Sequence, residues 1–192
     1  VPEEDSLIGR GVAYCATCDG MFYKDKTVAV IGGGNTAVAD ALFLSRICKK
    51  VILIHRRDTL RADRVYLNPL QNCENLEFVW NSTVDAILHN QNVTGLRLRD
   101  KFSGELQEIA CDGVFVAVGQ LPNTALFDGQ LKLDHGYIAA DETTRTSLPG
   151  VFAIGDVRTK ALRQVITAAN DGAVASHFVE EYLACKLPFI IS

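Results

Sequence analysis

Two cysteines three positions apart, Cys15 and Cys18, are the residues of this chain best suited to redox chemistry. Thiols at this spacing can close into a small disulfide ring, and their thiolates can be strongly stabilised. Asp19 follows directly and offers a carboxylate that can move a proton as a thiol leaves or is regenerated. Other interpretations stay open, namely a zinc site, two unreactive buried cysteines or, for Asp19, a simple turn residue. A zinc site needs about four ligands, and no second Cys/His pair accompanies this one, so we predict no metal site.

A glycine-rich run, GGGNTA at residues 32–37, fits the G-x-G-x-x-G/A fingerprint of dinucleotide-binding turns. The first glycine permits a tight turn, the second lets a pyrophosphate approach the backbone, and the small third residue allows close packing of helix on strand. Free N–H groups at the helix start then hold the phosphates. Such turns also arise for packing alone, but the flanking strand and helix patterns favour nucleotide binding. The predicted contacts are Gly32, Gly33, Gly34, Asn35 and Thr36.

A basic segment follows the next strand and carries His55, Arg56, Arg57 and Arg61. An NAD-binding fold usually places an acidic residue here to bind the ribose 2′-hydroxyl. Guanidinium groups instead suit a 2′-phosphate, because arginine forms charge-assisted and often bidentate contacts with phosphate. The alternative is a solvated basic loop with Asp58 as a local partner. We favour NADPH over NADH.

Hydropathy patterns predict the elements that position these residues. Strands are expected at 27–32, 51–55, 76–79 and 113–118, with helices at 35–47 and 62–71. Short strands at 84–89, 93–98 and 105–109 predict an antiparallel meander. After a loop at 119–123, we expect short strands at 137–138 and 151–154 and a long helix over 163–184. The predicted class is α/β, a Rossmann-like domain with an inserted meander plus part of a second α/β domain.

Composition limits the classes of partner. A net charge of −4 and a pI near 5.6 give no reason to expect nucleic-acid binding. No apolar run approaches the roughly 18 residues typical of a membrane span, and the acidic N-terminus does not resemble a signal peptide. Six cysteines, only two of them close together, favour the cytoplasm over a secreted disulfide scaffold. The first residue is not Met, so we expect a longer parent chain.

Five separate blocks closely resemble the low-molecular-weight, bacterial-type thioredoxin reductases. The blocks are GRGVAYCATCDG at 9–20, GGGNTA at 32–37, HRRD at 55–58 with Arg61, GVFAIGD at 150–156 and RQVITAA at 163–169. The resemblance implies a homodimeric enzyme that passes electrons from NADPH to FAD, then to the C-x-x-C dithiol and then to thioredoxin. It also implies an interdomain segment at 1–8, an NADPH and dithiol domain at 9–121 and the C-terminal part of an FAD domain at 122–192.

The resemblance also implies roles for individual residues. Cys15 and Cys18 match the redox pair, with Cys18 nearer the flavin, and Asp19 matches the family's acid–base carboxylate. The arginines of the basic segment match its 2′-phosphate contacts. The remaining implied cofactor-binding residues are Gly119, Gly155, Asp156 and the segment Arg163, Gln164 and Val165, of which Asp156 matches a residue at the flavin's ribityl or phosphate region.

One departure from the family pattern limits the expectation. The FAD domain of this family is split, and its first half, with its own glycine fingerprint, precedes the dithiol segment. Only one such fingerprint is present here. We therefore expect this chain alone to bind FAD weakly or not at all. Two alternatives remain, a related flavin–dithiol reductase of another disulfide protein and, in isolation, a non-catalytic NADPH-binding fragment.

Overall fold

A computed structural model of the chain describes residues 1–186. They fall into two compact units, the first from Val1 to Gly119 and the second beginning at Gln120. The three-part division predicted from the sequence, with limits at residues 8 and 121, stays a prediction. The last part of its third segment, 187–192, lies outside the described residues.

The first unit contains eight strands and three helices among its described residues. The strands are Val12–Ala13 (β1), Thr27–Ile31 (β2), Lys50–Ile54 (β3), Leu76–Val79 (β4), Ser82–His89 (β5), Val93–Asp100 (β6), Leu106–Ala110 (β7) and Gly113–Val116 (β8). The helices are Ala16–Asp19 (α1), Asn35–Ser45 (α2) and Arg64–Leu70 (α3). β1, β8, β2, β3 and β4 form a parallel sheet in that order, while β5, β6 and β7 form a separate antiparallel sheet. The predicted fold class is confirmed.

Both faces of the parallel sheet are covered, which explains why its central strands are almost wholly apolar. Ala37, Ala41 and Leu44 of α2 pack on one face, against a cluster that includes Val30 and Phe115. On the other face lies an apolar cluster that joins the meander to the sheet, made of Leu96, Leu98 and Ile87 with Ile31, Ile54 and Val114 among others. Because both faces are covered, the sheet keeps the carboxyl ends of β2 and β3 side by side at the same edge.

The second unit has a smaller core. Its regular elements are the hairpin strands Leu133–Asp134 (β9) and Tyr137–Ile138 (β10) and the helix Val165–Lys186 (α4). Leu131, Ile138 and Ala153 form its apolar centre. Within residues 1–186 no helix, α4 included, combines the length and apolar character needed to cross a membrane.

One predicted element is absent from the structure, and several others have different limits. The strand predicted at 151–154 is wrong, because Phe152 forms only an isolated bridge with Arg145 and Thr144 adopts a left-handed conformation (φ 63°) that interrupts the partner segment. The helix predicted at 62–71 covers only Arg64–Leu70, since the extended Asp63 donates its N–H to the Asn35 side chain. The helix predicted at 163–184 runs from Val165 to Lys186.

Candidate functional site

The two cysteines of the C-x-x-C motif form a disulfide in the structure. Their Cα atoms are 5.2 Å apart, and Cys15 caps the start of α1, where its Sγ accepts the N–H of Cys18 at 3.2 Å. Cys18 is exposed and Cys15 is half-buried. Among residues 1–186 no cluster of three or more His, Cys, Asp or Glu side chains is arranged to hold a metal ion.

A cavity of about 530 Å³ opens beside this disulfide. Asp19 lines it together with both cysteines, and the negative charge of Asp19 adds to burial in raising the pKa of the Tyr23 hydroxyl. Two apolar side chains next to the motif project into solvent: Met21 is 61% exposed and Phe22 is 74% exposed. The disulfide therefore lies at a surface with room for an apolar partner.

A second carboxylate, Asp40 on α2, lies close to the same helix. It lies near the N–H of Ala16, the first residue of α1. Its Oδ2 is buried and has no hydrogen-bond partner. Burial raises the pKa of this carboxyl to about 6, although the Ala16 N–H acts in the opposite direction.

The glycine-rich turn borders a second cavity, of about 430 Å³. Gly32 has a left-handed φ of 151°, and a Cβ atom there would lie 2.4 Å from the carbonyl oxygen of Ala117. A Cβ on Gly33 would meet the His55 ring at 2.3 Å. A Cβ on Gly34 would meet nothing within 4 Å. Packing therefore explains the first two glycines but leaves the third without a structural reason.

The predicted nucleotide residues surround this second cavity, with one exception. Those that line it are Gly32, Gly33, Gly34, Asn35, Thr36, His55, Arg56, Arg61 and Gly119. Arg57 lies on the same loop but outside the lining. The loop is tied to the glycine turn by the N–H of Arg61, which donates to the carbonyl of Gly33 at 2.7 Å.

Charge in this region is strongly positive. Arg56, Arg57 and Arg61 are all exposed, and within the described part of the chain none of them forms a salt bridge. His55 is only 4% exposed, and burial, followed by the three arginine charges, lowers its pKa. The histidine is therefore neutral near pH 7, and the cavity carries arginine charges without a counter-ion, as an anion site requires.

In the second unit, Asp156 and Arg163 meet at a cavity of about 410 Å³. The guanidinium of Arg163 lies 3.9 Å from the ring centroid of Tyr137, and its Nε donates to the carbonyl of Asp156 at 3.3 Å. The Asp156 side chain is exposed. Gln164 donates its N–H to the Thr167 hydroxyl, just before α4 begins at the 87% exposed Val165.

The turn that carries Asp156 is held by a buried ionic network. Asp171 is 1% exposed and accepts hydrogen bonds from Arg158 Nε at 2.8 Å and Nη2 at 2.6 Å, from Lys160 Nζ at 2.8 Å and from the N–H of Gly155 at 2.9 Å. Arg158 is itself only 2% exposed. The backbone of Gly155 is thus fixed from α4.

Comparison with known proteins places this chain in a family. A family model described as pyridine nucleotide-disulphide oxidoreductase matches residues 1–172. The chain belongs to the pyridine nucleotide-disulphide oxidoreductase family.

Several proteins align with most of this chain. A thioredoxin reductase of Streptomyces clavuligerus is 51% identical over 96% of this chain and 58% of its own length. A Pseudomonas fluorescens protein named glucosaminate ammonia-lyase is 45% identical over 95% of this chain and 60% of its own length. The crystal structure of a thioredoxin reductase from Streptococcus pyogenes MGAS5005 matches with a TM-score of 0.88 and 41% identity, covering 96% of this chain and 61% of that one.

The resemblance to bacterial-type thioredoxin reductases is thereby confirmed. The chain spans about three fifths of the length of the relatives it matches. Because one close relative carries a different name, the reaction of this pyridine nucleotide-disulphide oxidoreductase has to be argued from its own residues.

Two carboxylates of this pyridine nucleotide-disulphide oxidoreductase were not predicted from its sequence. Asp40 appears there only as a polar residue in a helical stretch, and Asp171 only as part of the long C-terminal helix. Asp171 is buried and Asp40 is half-buried, and the burial of an acidic group on a helix becomes visible only once the neighbouring elements are in place.

Proposed function

We propose that the chain carries the nicotinamide-binding and dithiol part of a thioredoxin-disulfide reductase, which transfers electrons from NADPH through FAD to Cys15 and Cys18 and then to thioredoxin. One observation carries the proposal: the unit that bears the accessible disulfide also bears a glycine-turn cavity flanked by arginines without counter-ions. The overall reaction converts NADPH, a proton and oxidised thioredoxin into NADP⁺ and thioredoxin dithiol.

The residues around the glycine turn fit a phosphorylated dinucleotide. Gly34 leaves open space at the start of α2, where free backbone N–H groups can bind a pyrophosphate. Arg56 and Arg61 at the rim, with Arg57 on the same loop, supply the charge that a 2′-phosphate needs. His55 is neutral, and its ring packs directly against Gly33.

Residues of the second unit fit one side of a flavin nucleotide. When bound, FAD supplies the two-electron carrier that links the nicotinamide to the disulfide. Asp156 offers an exposed carboxylate for hydroxyl groups, and Arg163 is held in place by Tyr137. The exposed Val165 and Ile166 leave an apolar surface at the start of α4, which suits a flat aromatic ring system.

The dithiol then reduces its partner by thiol–disulfide exchange. The Cys15 thiolate attacks one sulfur of the thioredoxin disulfide, forming a mixed disulfide while the other thioredoxin sulfur leaves as a thiolate. Cys18 next attacks the Cys15 sulfur, which re-forms the Cys15–Cys18 disulfide and releases the second thioredoxin thiolate. Asp19, at the same cavity, is the group we propose to move protons to the departing sulfurs.

Substituting Cys18→Ser is expected to trap the complex with thioredoxin, because no second thiol remains to resolve the mixed disulfide. The chain is reduced, freed of reductant and mixed with oxidised thioredoxin, and a reductant-sensitive adduct is measured by non-reducing electrophoresis and mass spectrometry. This measurement needs neither FAD nor NADPH.

The matched variant Cys15→Ser should give little adduct, and the double variant should give none. A stronger adduct with Cys15→Ser would reverse the roles of the two sulfurs, since Cys18 is the more exposed of the pair. Absence of any adduct with either variant would contradict thioredoxin as the partner and favour another disulfide protein.

Replacing Arg56, Arg57 or Arg61 with alanine is expected to weaken NADPH binding about tenfold per residue, since each charged contact to phosphate contributes about 1.5 kcal/mol or more. NADH binding should change little, because NADH lacks the 2′-phosphate. Calorimetric titration of both nucleotides into each variant measures the difference. Equal losses for NADPH and NADH would argue against a 2′-phosphate site.

The same proposal includes a homodimer and a cytoplasmic location, both inherited from the resemblance to thioredoxin reductases. The chain gives one supporting point for the location: apart from the pair at Cys15 and Cys18, its described cysteines are free thiols. Reduced cysteines are the rule in a reducing compartment.

A further inference from the structure

The loop that carries the three arginines of the glycine-turn cavity has no regular structure of its own. Residues 56–62 are neither helix nor strand and connect the end of β3 to the start of α3. A loop that becomes ordered only when its ligand binds loses affinity through the entropy of that ordering. Contacts that hold this loop in place beforehand therefore contribute to binding.

Two side chains at the starts of neighbouring helices provide such contacts. Asn35 is the first residue of α2, and Asp63 directly precedes α3. The Nδ2 of Asn35 donates to the Oδ2 of Asp63 at 2.8 Å, and the backbone N–H of Asp63 donates to the Oδ1 of Asn35, also at 2.8 Å. The partners fix the orientation of the amide, because an N–H group can only donate and a carboxylate can only accept. We call this reciprocal pair of hydrogen bonds the Asn35–Asp63 clamp.

The stability of α3 does not explain the side chain of Asp63. An aspartate at the N-cap of a helix usually accepts a backbone N–H of the first turn. Asp63 occupies the N-cap position of α3, but its carboxylate makes no such bond and turns to Asn35 instead. The residue is also exposed, so it does not fill the core. Its carboxylate is therefore used to join two helix starts.

The clamp lies next to the arginine that approaches the glycine turn most directly. Arg61 and Asn35 both line the cavity of about 430 Å³. The N–H of Arg61 donates to the carbonyl of Gly33 at 2.7 Å, Ala62 is buried, and Asp63 belongs to the clamp. Three consecutive residues are thus anchored against the turn, and the backbone from which the Arg61 side chain extends is fixed.

We propose that the Asn35–Asp63 clamp determines the preference for NADPH over NADH, by holding Arg61 where it meets the 2′-phosphate. The inference rests on the proposed function in taking this cavity as the nicotinamide nucleotide site. Asn35 and Asp63 are positioning residues in this role, since their side chains act on the nucleotide through Arg61. Arginine contacts to phosphate depend strongly on geometry, which makes a fixed backbone valuable here.

Removing the Asp63 carboxylate separates positioning from simple electrostatics. A negative charge near an anion site opposes binding, so charge alone predicts that Asp63→Ala binds NADPH more tightly. The clamp predicts the opposite result. We expect NADPH to bind about fivefold more weakly to Asp63→Ala, because a hydrogen bond that orders the loop is lost, while NADH binding changes by less than about twofold. Calorimetric titration of both nucleotides measures the ratio, and thermal unfolding shows that the variant is folded.

Three further variants test the hydrogen bonds themselves. Asp63→Asn keeps an acceptor for Asn35 Nδ2 without the charge, so it should bind NADPH at least as tightly as the unaltered chain. Asp58→Ala removes an exposed carboxylate of the same loop that lies outside the clamp, and it should not weaken NADPH binding. The double variant Asn35→Ala with Asp63→Ala should lose no more of the preference than the more affected single variant, because both substitutions break one unit.

The outcomes distinguish this inference from the proposed function. If the unaltered chain prefers NADPH and Asp63→Ala keeps that preference, the clamp does not determine it and the inference is wrong. Equal losses for both nucleotides, or an Asp63→Asn variant as weak as Asp63→Ala, would also overturn it. If the unaltered chain shows no preference for NADPH, the proposed 2′-phosphate site and the role of the clamp are both contradicted.

Discussion

Replacing Asp171 with asparagine is expected to destabilise the second unit by about 3–5 kcal/mol at pH 7, because it removes the buried carboxylate that two buried cations share. Arg158 and Lys160 both donate to this carboxylate, and both side chains are almost fully buried. An amide in the same place keeps one acceptor but removes the negative charge. Gly155 would then be less firmly held at the turn that carries Asp156.

The effect should depend on pH in a defined direction. Hydrogen bonds from Arg158, and then from Lys160 and Gly155, hold the pKa of Asp171 far below its usual range, although burial acts the other way. A carboxyl whose pKa is depressed in the folded state stabilises that state above its unfolded pKa of about 3.9, and the contribution is lost as the pH falls below that value. The difference between variant and unaltered chain should therefore be complete at pH 7 and shrink below pH 4.

The matched control is Glu181→Gln on the same helix, α4, which breaks the exposed ion pair between Glu181 and Arg145. Exposed pairs contribute at most about 1 kcal/mol, so this variant should unfold almost like the unaltered chain. Urea unfolding followed by far-UV circular dichroism reports the helices of both units, of which α4 is the longest, whereas fluorescence of the single tryptophan, Trp80, reports the first unit alone. Equal stability losses for Asp171→Asn and Glu181→Gln would refute the role given to the buried network.

Much of the first unit could be predicted because its signals are local. The glycine run stands directly between a strand and a helix, and the basic segment directly follows the next strand. The carboxyl ends of neighbouring parallel strands share one edge of a sheet, so the two segments were expected to meet there. Their shared cavity, with Arg61 tied to Gly33, agrees with that argument.

The features that could not be predicted from the sequence depend on contacts between residues far apart in the chain. Asp40 meets Ala16 only because α2 packs beside α1, and Asp171 becomes buried only when α4 covers the turn at Gly155. The apolar segment at 151–154 resembles a strand in composition, yet Thr144 interrupts its partner. Strand formation depends on pairing as well as on composition, which is why this prediction was wrong.

Gly34→Ala is expected to leave the fold intact while weakening NADPH binding by about 30- to 100-fold. The backbone at Gly34 is extended (φ −95°, ψ −175°), and an added Cβ would meet nothing within 4 Å. An alanine therefore fits the free chain, with a change in unfolding free energy within about 1 kcal/mol at this N-cap position. The same methyl group would occupy the space through which a pyrophosphate reaches the N–H groups of α2, and losing one or two charge-assisted hydrogen bonds costs about 2–3 kcal/mol.

Gly32→Ala provides the contrast that separates packing from binding. Its φ of 151° and the 2.4 Å approach of a Cβ to the Ala117 carbonyl predict a loss of about 2–3 kcal/mol in unfolding free energy. Thermal unfolding and calorimetric titration of NADPH, carried out on both variants, give the two quantities. If Gly34→Ala binds NADPH as tightly as the unaltered chain, the open space at Gly34 is not a phosphate site. If Gly34→Ala unfolds like the unaltered chain but binds NADPH more weakly, while Gly32→Ala is destabilised, Gly34 serves nucleotide binding and Gly32 serves the fold.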